Sequence, residues 1–107
     1  MRSIEFEILL TLANGDRHGY AIIHDIEARS DGALSVETGT LYRALQRLAE
    51  ADLVRPTEAP PDTENDDERR RFYAITTAGR RAAAAEARRM ASLVDAARVA
   101  RLIPGGM

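Results

Sequence analysis

A chain of 107 residues, 45% hydrophobic and 30% charged, is long enough for one domain with a modest core and an appended helix. It has no cysteine, which excludes a disulfide framework, a thiolate metal site and a Cys nucleophile. The formal net charge of −2 hides a strong segregation that keeps a nucleic-acid partner open: six Arg against nine acids over residues 1–57, six acids and no base over 58–68, nine Arg against two acids over 69–107.

With aromatics at 5% and no Trp, the core has to be built from Leu, Ile, Val and Ala. The first predicted helix runs from an N-cap at Ser3 to about Ala13. Ile4, Ile8 and Leu12 share a face, and Phe6, Leu9 and Leu10 widen the apolar surface until it needs two neighbours, its own core and a partner subunit among the candidates. Glu5 and Glu7 interrupt this apolar run, unlike a signal peptide. No run approaches the roughly 18 apolar residues of a membrane span, so a cytoplasmic protein with no membrane partner is expected. Asn14-Gly15-Asp16 ends the helix. A second helix follows over about Tyr20–Arg29, with Tyr20, Ile23 and Ile26 inward. Ser30-Asp31-Gly32 breaks the chain again, and Ala33–Val36 reads as a short extended stretch, at most a small edge strand.

The third helix, about Thr38–Ala51, is the most informative stretch. Leu41, Leu45 and Leu48 recur at i, i+4 and i+7 on one stripe. Thr38, Gly39, Arg43, Gln46 and Arg47 lie opposite, with Thr40 and Tyr42 flanking the first turn. A small, polar, arginine-bearing front held by a leucine back suits a helix that lies in a groove of DNA. Three helices with short Gly-containing connections fit a helix-turn-helix core. Next, residues 53–57 are extended, and Pro56 requires an edge strand. EAPPDTENDDE (58–68) is an acidic loop. Residues 69–75 return as a strand with Arg71, Tyr73 and Ile75 on one face and Arg70, Phe72 and Ala74 on the other. Two strands after the third helix make a wing, so the expected fold is mainly α with a small β-wing: a winged helix-turn-helix.

Thr76 is the expected cap of a last helix over about Thr77–Leu102, rich in Ala and Arg. Ala83, Ala87, Met90, Val94 and Ala97 form a narrow apolar stripe with Leu93 beside it. About 25 residues extend ~37 Å, too long to be covered by the preceding domain, so a homodimer is expected; the alternative is a lone helix folded back on its own domain. The division is residues 1–76 for DNA binding and 77–107 for dimerisation. His18 and His24 sit on different helical faces with no Cys and no acid at metal spacing, and no nucleophile elbow, P-loop or Gly-rich phosphate loop is present. Neither catalysis nor a metal or other cofactor is expected.

HGYAIIHDIE (18–27), TGTLYRALQRLAEADLV (38–54), RRRFYAIT (69–76) and TAGRR (77–81) together resemble the PadR-like winged-helix transcriptional regulators, over roughly residues 4–82. The single C-terminal helix is similar to the shorter branch of that family. The resemblance implies a cytoplasmic homodimer that binds double-stranded operator DNA, usually as a repressor, and leaves it on binding a small molecule. It also implies that Gly39-Thr40-Leu41-Tyr42 opens the recognition helix, with Thr40 and Tyr42 hydroxyls at phosphates. His18, Gly19 and Tyr20 would start the second helix, with a free amide for another phosphate. Arg69, Arg70 and Arg71 would form the basic root of the wing, unless they pair with Asp66, Asp67 and Glu68 beside them. Many members carry proline after GTLY; here it is Arg43, a candidate guanine reader. The last helix has no aromatic, so the alternatives left are a small apolar effector at the dimer seam, meeting Met90, Leu93 and Val94 with Phe6, or no effector at all. The rival reading is a winged-helix module that binds protein and not DNA.

Overall fold

The computed structural model describes residues 1–59 and 71–104. Helix α1 (Ser3–Ala13) is followed by a short strand β1 (Arg17–His18), then α2 (Gly19–Arg29), α3 (Thr38–Glu50), β2 (Val54–Thr57), β3 (Phe72–Ile75) and α4 (Thr77–Val99). The three strands form one antiparallel sheet in the order β1-β3-β2. Most of the expected wing loop, from residue 60, lies outside the described residues, and Arg69 and Arg70 lie there with it.

The leucine stripe of α3 is the centre of the core. Leu41, Ala44, Leu45 and Leu48 are all buried, and with Ile8, Leu9 and Leu12 of α1, Ile22 and Ile26 of α2, Val54 and Tyr73 they make one apolar cluster. Truncating any one of these leucines to Ala would cost about 2–5 kcal/mol. A polar clamp locks α1 to α2 beside this cluster. Thr11, 1% exposed, donates its hydroxyl to Asp25 Oδ2 at 2.6 Å. Arg29 reaches the same Asp25 oxygen at 2.9 Å and Glu7 Oε1 at 2.7 Å. The Thr11 hydrogen bond, against opposition from burial and with help from Arg29, holds the Asp25 carboxyl below its ordinary value.

Several expectations are corrected. The backbone turns helical at Ser3, so Arg2 is the cap residue, and its amide donates to Glu5 Oε1 at 3.3 Å. In α2 Ile26 is buried and Ile23 packs partly buried against the core as expected, but Gly19 and Ile22 are the other buried residues and Tyr20 is 66% exposed. Tyr20 stands in the first turn, and the stripe that meets α1 and α3 runs through 19, 22 and 26. The 33–36 stretch is no strand: side chains hold its backbone, Ser30 Oγ accepting from the Leu34 amide and Glu27 Oε2 from the Val36 amide, both at 3.0 Å. The third strand is β1, which pairs Arg17 with Tyr73 and His18 with Phe72. β3 is therefore the central strand, and Phe72, Tyr73 and Ala74 are all buried where alternation was expected. Pro56 does sit on an edge strand, β2.

Thr76 caps α4, its hydroxyl accepting from the Gly79 amide at 2.9 Å. The helix ends at Val99, three residues early, because Arg101 adopts a positive φ of 62° and the Leu102 amide turns back to the Ala97 carbonyl at 2.9 Å. Only Gly79 of this helix is fully buried. The first turns pack on α1 and the rest projects, leaving the described residues 50 Å long and 29 Å across.

Candidate nucleic-acid interface

The start of α2, the front of α3 and the root of the wing converge on Tyr42. A Cβ on Gly19 would fall inside contact distance of the Tyr42 hydroxyl and lie 2.9 Å from its Cζ, so glycine is what lets the phenol pack on the first turn of α2. Burial pushes the Tyr42 phenol above its ordinary value; the neighbouring Tyr73 phenol adds to this, and the Arg71 guanidinium opposes it. The hydroxyl is therefore protonated at neutral pH and available as a donor. Arg71 is exposed at the entry to β3.

His18 is the N-cap of α2. Its Nδ1 accepts from the Ala21 amide at 3.2 Å, so that amide is already engaged within the chain. Its ring meets Phe72 edge-on at 5.4 Å between centroids, fastening α2 to the central strand. Tyr20, beside it, points to solvent.

Along α3, Thr38, Gly39, Arg43 and Gln46 are exposed and Thr40 is half-buried. Arg43 folds back toward the helix start: Nη2 donates to Thr40 Oγ1 at 3.4 Å, and a Cβ on Gly39 would stand 3.2 Å from Nη1. The guanidinium thus lies over the small residue at position 39. Arg47 points elsewhere, its Nε donating to Glu5 Oε2 of α1 at 2.8 Å. Burial of Glu5, which would raise its carboxyl, is outweighed by the hydrogen bonds from Arg47 and from the Arg2 amide, and the carboxyl lies below its ordinary value. That pairing spans 42 positions and leaves no local signature. Arg55 was given no role from sequence, yet it stands exposed on the wing strand β2, opposite Ala74. Its neighbour Val54, buried in the core cluster, is the signal that marks Arg55 as facing out.

The residues expected at a dimer seam divide into two groups. Phe6, Leu10, Ala83 and Ala87 line a shallow groove of about 240 Å³ between α1 and α4. Met90 and Ala97 are half-buried further along, with Leu93 57% and Val94 40% exposed. Among the described residues, no helix is long and apolar enough to cross a membrane, and no group of three or more His, Cys, Asp or Glu residues is placed to hold a metal ion.

The sequence profile of the transcriptional regulator PadR-like family matches residues 8–85. No curated protein sequence matches the chain. A transcriptional regulator from Clostridium thermocellum superposes with a TM-score of 0.73 at 24% identity, over 95% of this chain and 90% of its own. A PadR family regulator from Clostridium difficile superposes at 0.74 and 21% identity, over 91% and 96%. Bacillus subtilis PadR in complex with operator DNA superposes at 0.62 and 20% identity, over 77% of this chain and 45% of that one. At these identities the likeness is one of fold.

Proposed function

The chain belongs to the PadR-like family of transcriptional regulators, and on that footing we propose how this DNA-binding regulator acts: as a homodimer that binds an operator sequence specifically and represses by occupying a promoter. The observation that supports this best is the junction at Tyr42, where the start of α2, the polar front of α3 and the wing root come together. A duplex laid against α3 would meet all three.

In this reading α3 enters the major groove, with Arg43 and Gln46 over the base edges. Thr38 and Gly39 keep the helix start small enough for close approach, and Thr40, Tyr42 and Tyr20 offer hydroxyls to phosphates. Gly19 seats Tyr42, and His18 holds the cap from which Tyr20 projects. Arg71 meets the flanking backbone, and Arg69 and Arg70 serve with it. Arg47 acts from behind, anchoring α3 on α1 through Glu5. Residues 1–76 are the DNA-binding part. Residues 77–107 carry the dimer seam, in which Met90, Leu93, Val94 and Ala97 of one α4 meet their counterparts while Phe6, Leu10, Ala83 and Ala87 receive the partner's helix. A small apolar effector held at that seam, near Met90 and Phe6, releases the operator. The exposure of Leu93 and Val94 on a projecting helix supports this arrangement.

The test is titration of a labelled fragment from the gene's own upstream region, across salt, with random competitor DNA. The expected outcome is competitor-resistant binding that weakens steeply with salt. Binding abolished by competitor at every salt concentration would refute a specific regulator of its own promoter.

A further inference from the structure

A second concavity lies away from the α1–α4 groove. It opens between the start of α1 and the connector that leads into α3, with a volume of about 440 Å³, within the usual range of small-molecule sites. Ile4, Ile26, Leu34 and Val36 supply its apolar walls, and Glu7 and Glu37 its acidic side; no Arg or His lines it. Ile26 is fully buried, whereas Leu34 is 47% exposed, a large apolar side chain left at the lip. Arg29 already occupies Glu7 Oε1. Glu37 makes no side-chain cap to its own helix, and its carboxylate accepts no hydrogen bond among the described residues.

We propose that this cavity binds a small amphipathic monocation, a compact apolar body bearing an ammonium group, and that its occupant opposes operator binding. The body packs on Ile4, Leu34 and Val36, over the buried Ile26, and the charge sits beside Glu37. Arg29 offsets Glu7, so Glu37 sets the sign of the site: it repels an anion, attracts a cation and gives a neutral ligand no charge contact. The regulatory half rests on the DNA-binding reading above. Thr40 lines the same cavity, and its hydroxyl is the group that receives Arg43. An occupant touching Thr40 displaces the Arg43 arrangement that the operator needs, and by linkage the operator lowers the occupant's affinity by the same factor.

The experiment is a methyl-detected NMR titration of the full chain with 2-phenylethylammonium, beside 2-phenylethanol and phenylacetate as neutral and anionic counterparts. The ammonium is expected to shift the methyls of Ile4, Ile26, Leu34 and Val36 and to bind more tightly than either counterpart. Glu37→Gln should weaken it roughly three- to fivefold, the upper end for an exposed ion pair. Equal affinity for the three probes, indifference to Glu37→Gln, no binding, or shifts confined to Met90, Leu93 and Val94 would each overturn the site. Operator affinity is measured first without probe, so loss of the DNA reading is seen separately. A saturating probe should then weaken operator binding severalfold, and unchanged affinity would overturn the regulatory half.

Discussion

Gly79→Ala is the substitution for which the structure gives the sharpest expectation, because two general rules oppose each other there. In a helix, alanine is favoured over glycine by about 1 kcal/mol. At Gly79, however, the new Cβ would be driven into the Leu53 carbonyl oxygen, 2.8 Å from Ile75 Cγ1 and 3.0 Å from the Leu53 carbonyl carbon. Two of those atoms are backbone, so no rotamer relieves the clash. Moving the helix away would strain the Thr76 amide bond to Leu53 O at 3.1 Å and the Thr76 hydroxyl bond to Asp52 O at 2.7 Å. An overpacked site costs about 1–3 kcal/mol, and two weakened hydrogen bonds cost about 1 kcal/mol each. Set against the helix-propensity gain, the net loss is about 3 kcal/mol, a fall in Tm of roughly 12–24 °C for a chain of this size. Thermal and urea denaturation followed by circular dichroism would measure it. Gly39→Ala is the control: its Cβ meets only the end of the flexible Arg43 side chain, so stability should hold or rise by several tenths of a kcal/mol. If Gly79→Ala is as stable as the parent chain, the close packing of α4 on the Leu53 carbonyl is wrong.

Three further outcomes are expected. Glu5 and Asp25 both have folded values lowered below their ordinary 4.5 and 3.8, so their stabilisation is complete above those values and is lost as pH falls through the lower folded ones. Tm should therefore drop below about pH 4, and the drop should be shallower in Arg47→Ala, which starts less stable at pH 7; an equally steep drop in that variant would remove the Glu5–Arg47 pair from the explanation. Arg43→Ala should weaken operator binding by about 1–3 kcal/mol and relax base preference at one position, as read by titration of operator variants; unchanged preference would reassign Arg43 to the backbone. If the chain pairs through α4 as proposed, Met90→Glu with Val94→Glu should give a monomer in sedimentation where the parent chain gives a dimer, since two carboxylates on each α4 would face their copies across the seam; a dimer mass unchanged by the substitutions would place the seam elsewhere.

What was legible in the sequence was what periodicity and local capping encode. Leu41, Leu45 and Leu48 share a face because of their spacing alone, and all three are buried. Thr76 caps α4 through a residue three positions away, and Pro56 demands an edge strand by lacking an N–H. What could not be read there depends on atoms distant in sequence. β1 is two residues long and carries no alternation; it exists because β3 has a second edge to pair. β1 also brings the His18 ring onto Phe72 while Tyr73 joins the core cluster, so the expected two-faced pattern of Phe72, Tyr73 and Ala74 disappears. Arg47 reads as part of the polar front of α3 until Glu5, 42 positions earlier, turns it toward α1. Tyr20 reads as core by spacing from Ile23 and Ile26, but the buried stripe of α2 runs through Gly19, Ile22 and Ile26 and leaves the Tyr20 side chain off it.

The same long-range contacts explain why the proposed DNA surface can be stiff although its parts come from four elements. Gly19 fits Tyr42 against the start of α2, and the capping imidazole of His18 rests on Phe72 of the central strand. Arg47 ties α3 to α1 from the other side. Each of these contacts is made within the chain and needs no DNA, so the backbone positions that carry Tyr20, Tyr42 and Arg71 are set relative to one another before binding. Presenting these residues from a preset backbone lowers the ordering cost on association. Arg43 is held by a single long hydrogen bond, to Thr40. One of the two residues assigned to the base edges is thus only lightly restrained, and the hydroxyl that holds it lines the cavity beside α3.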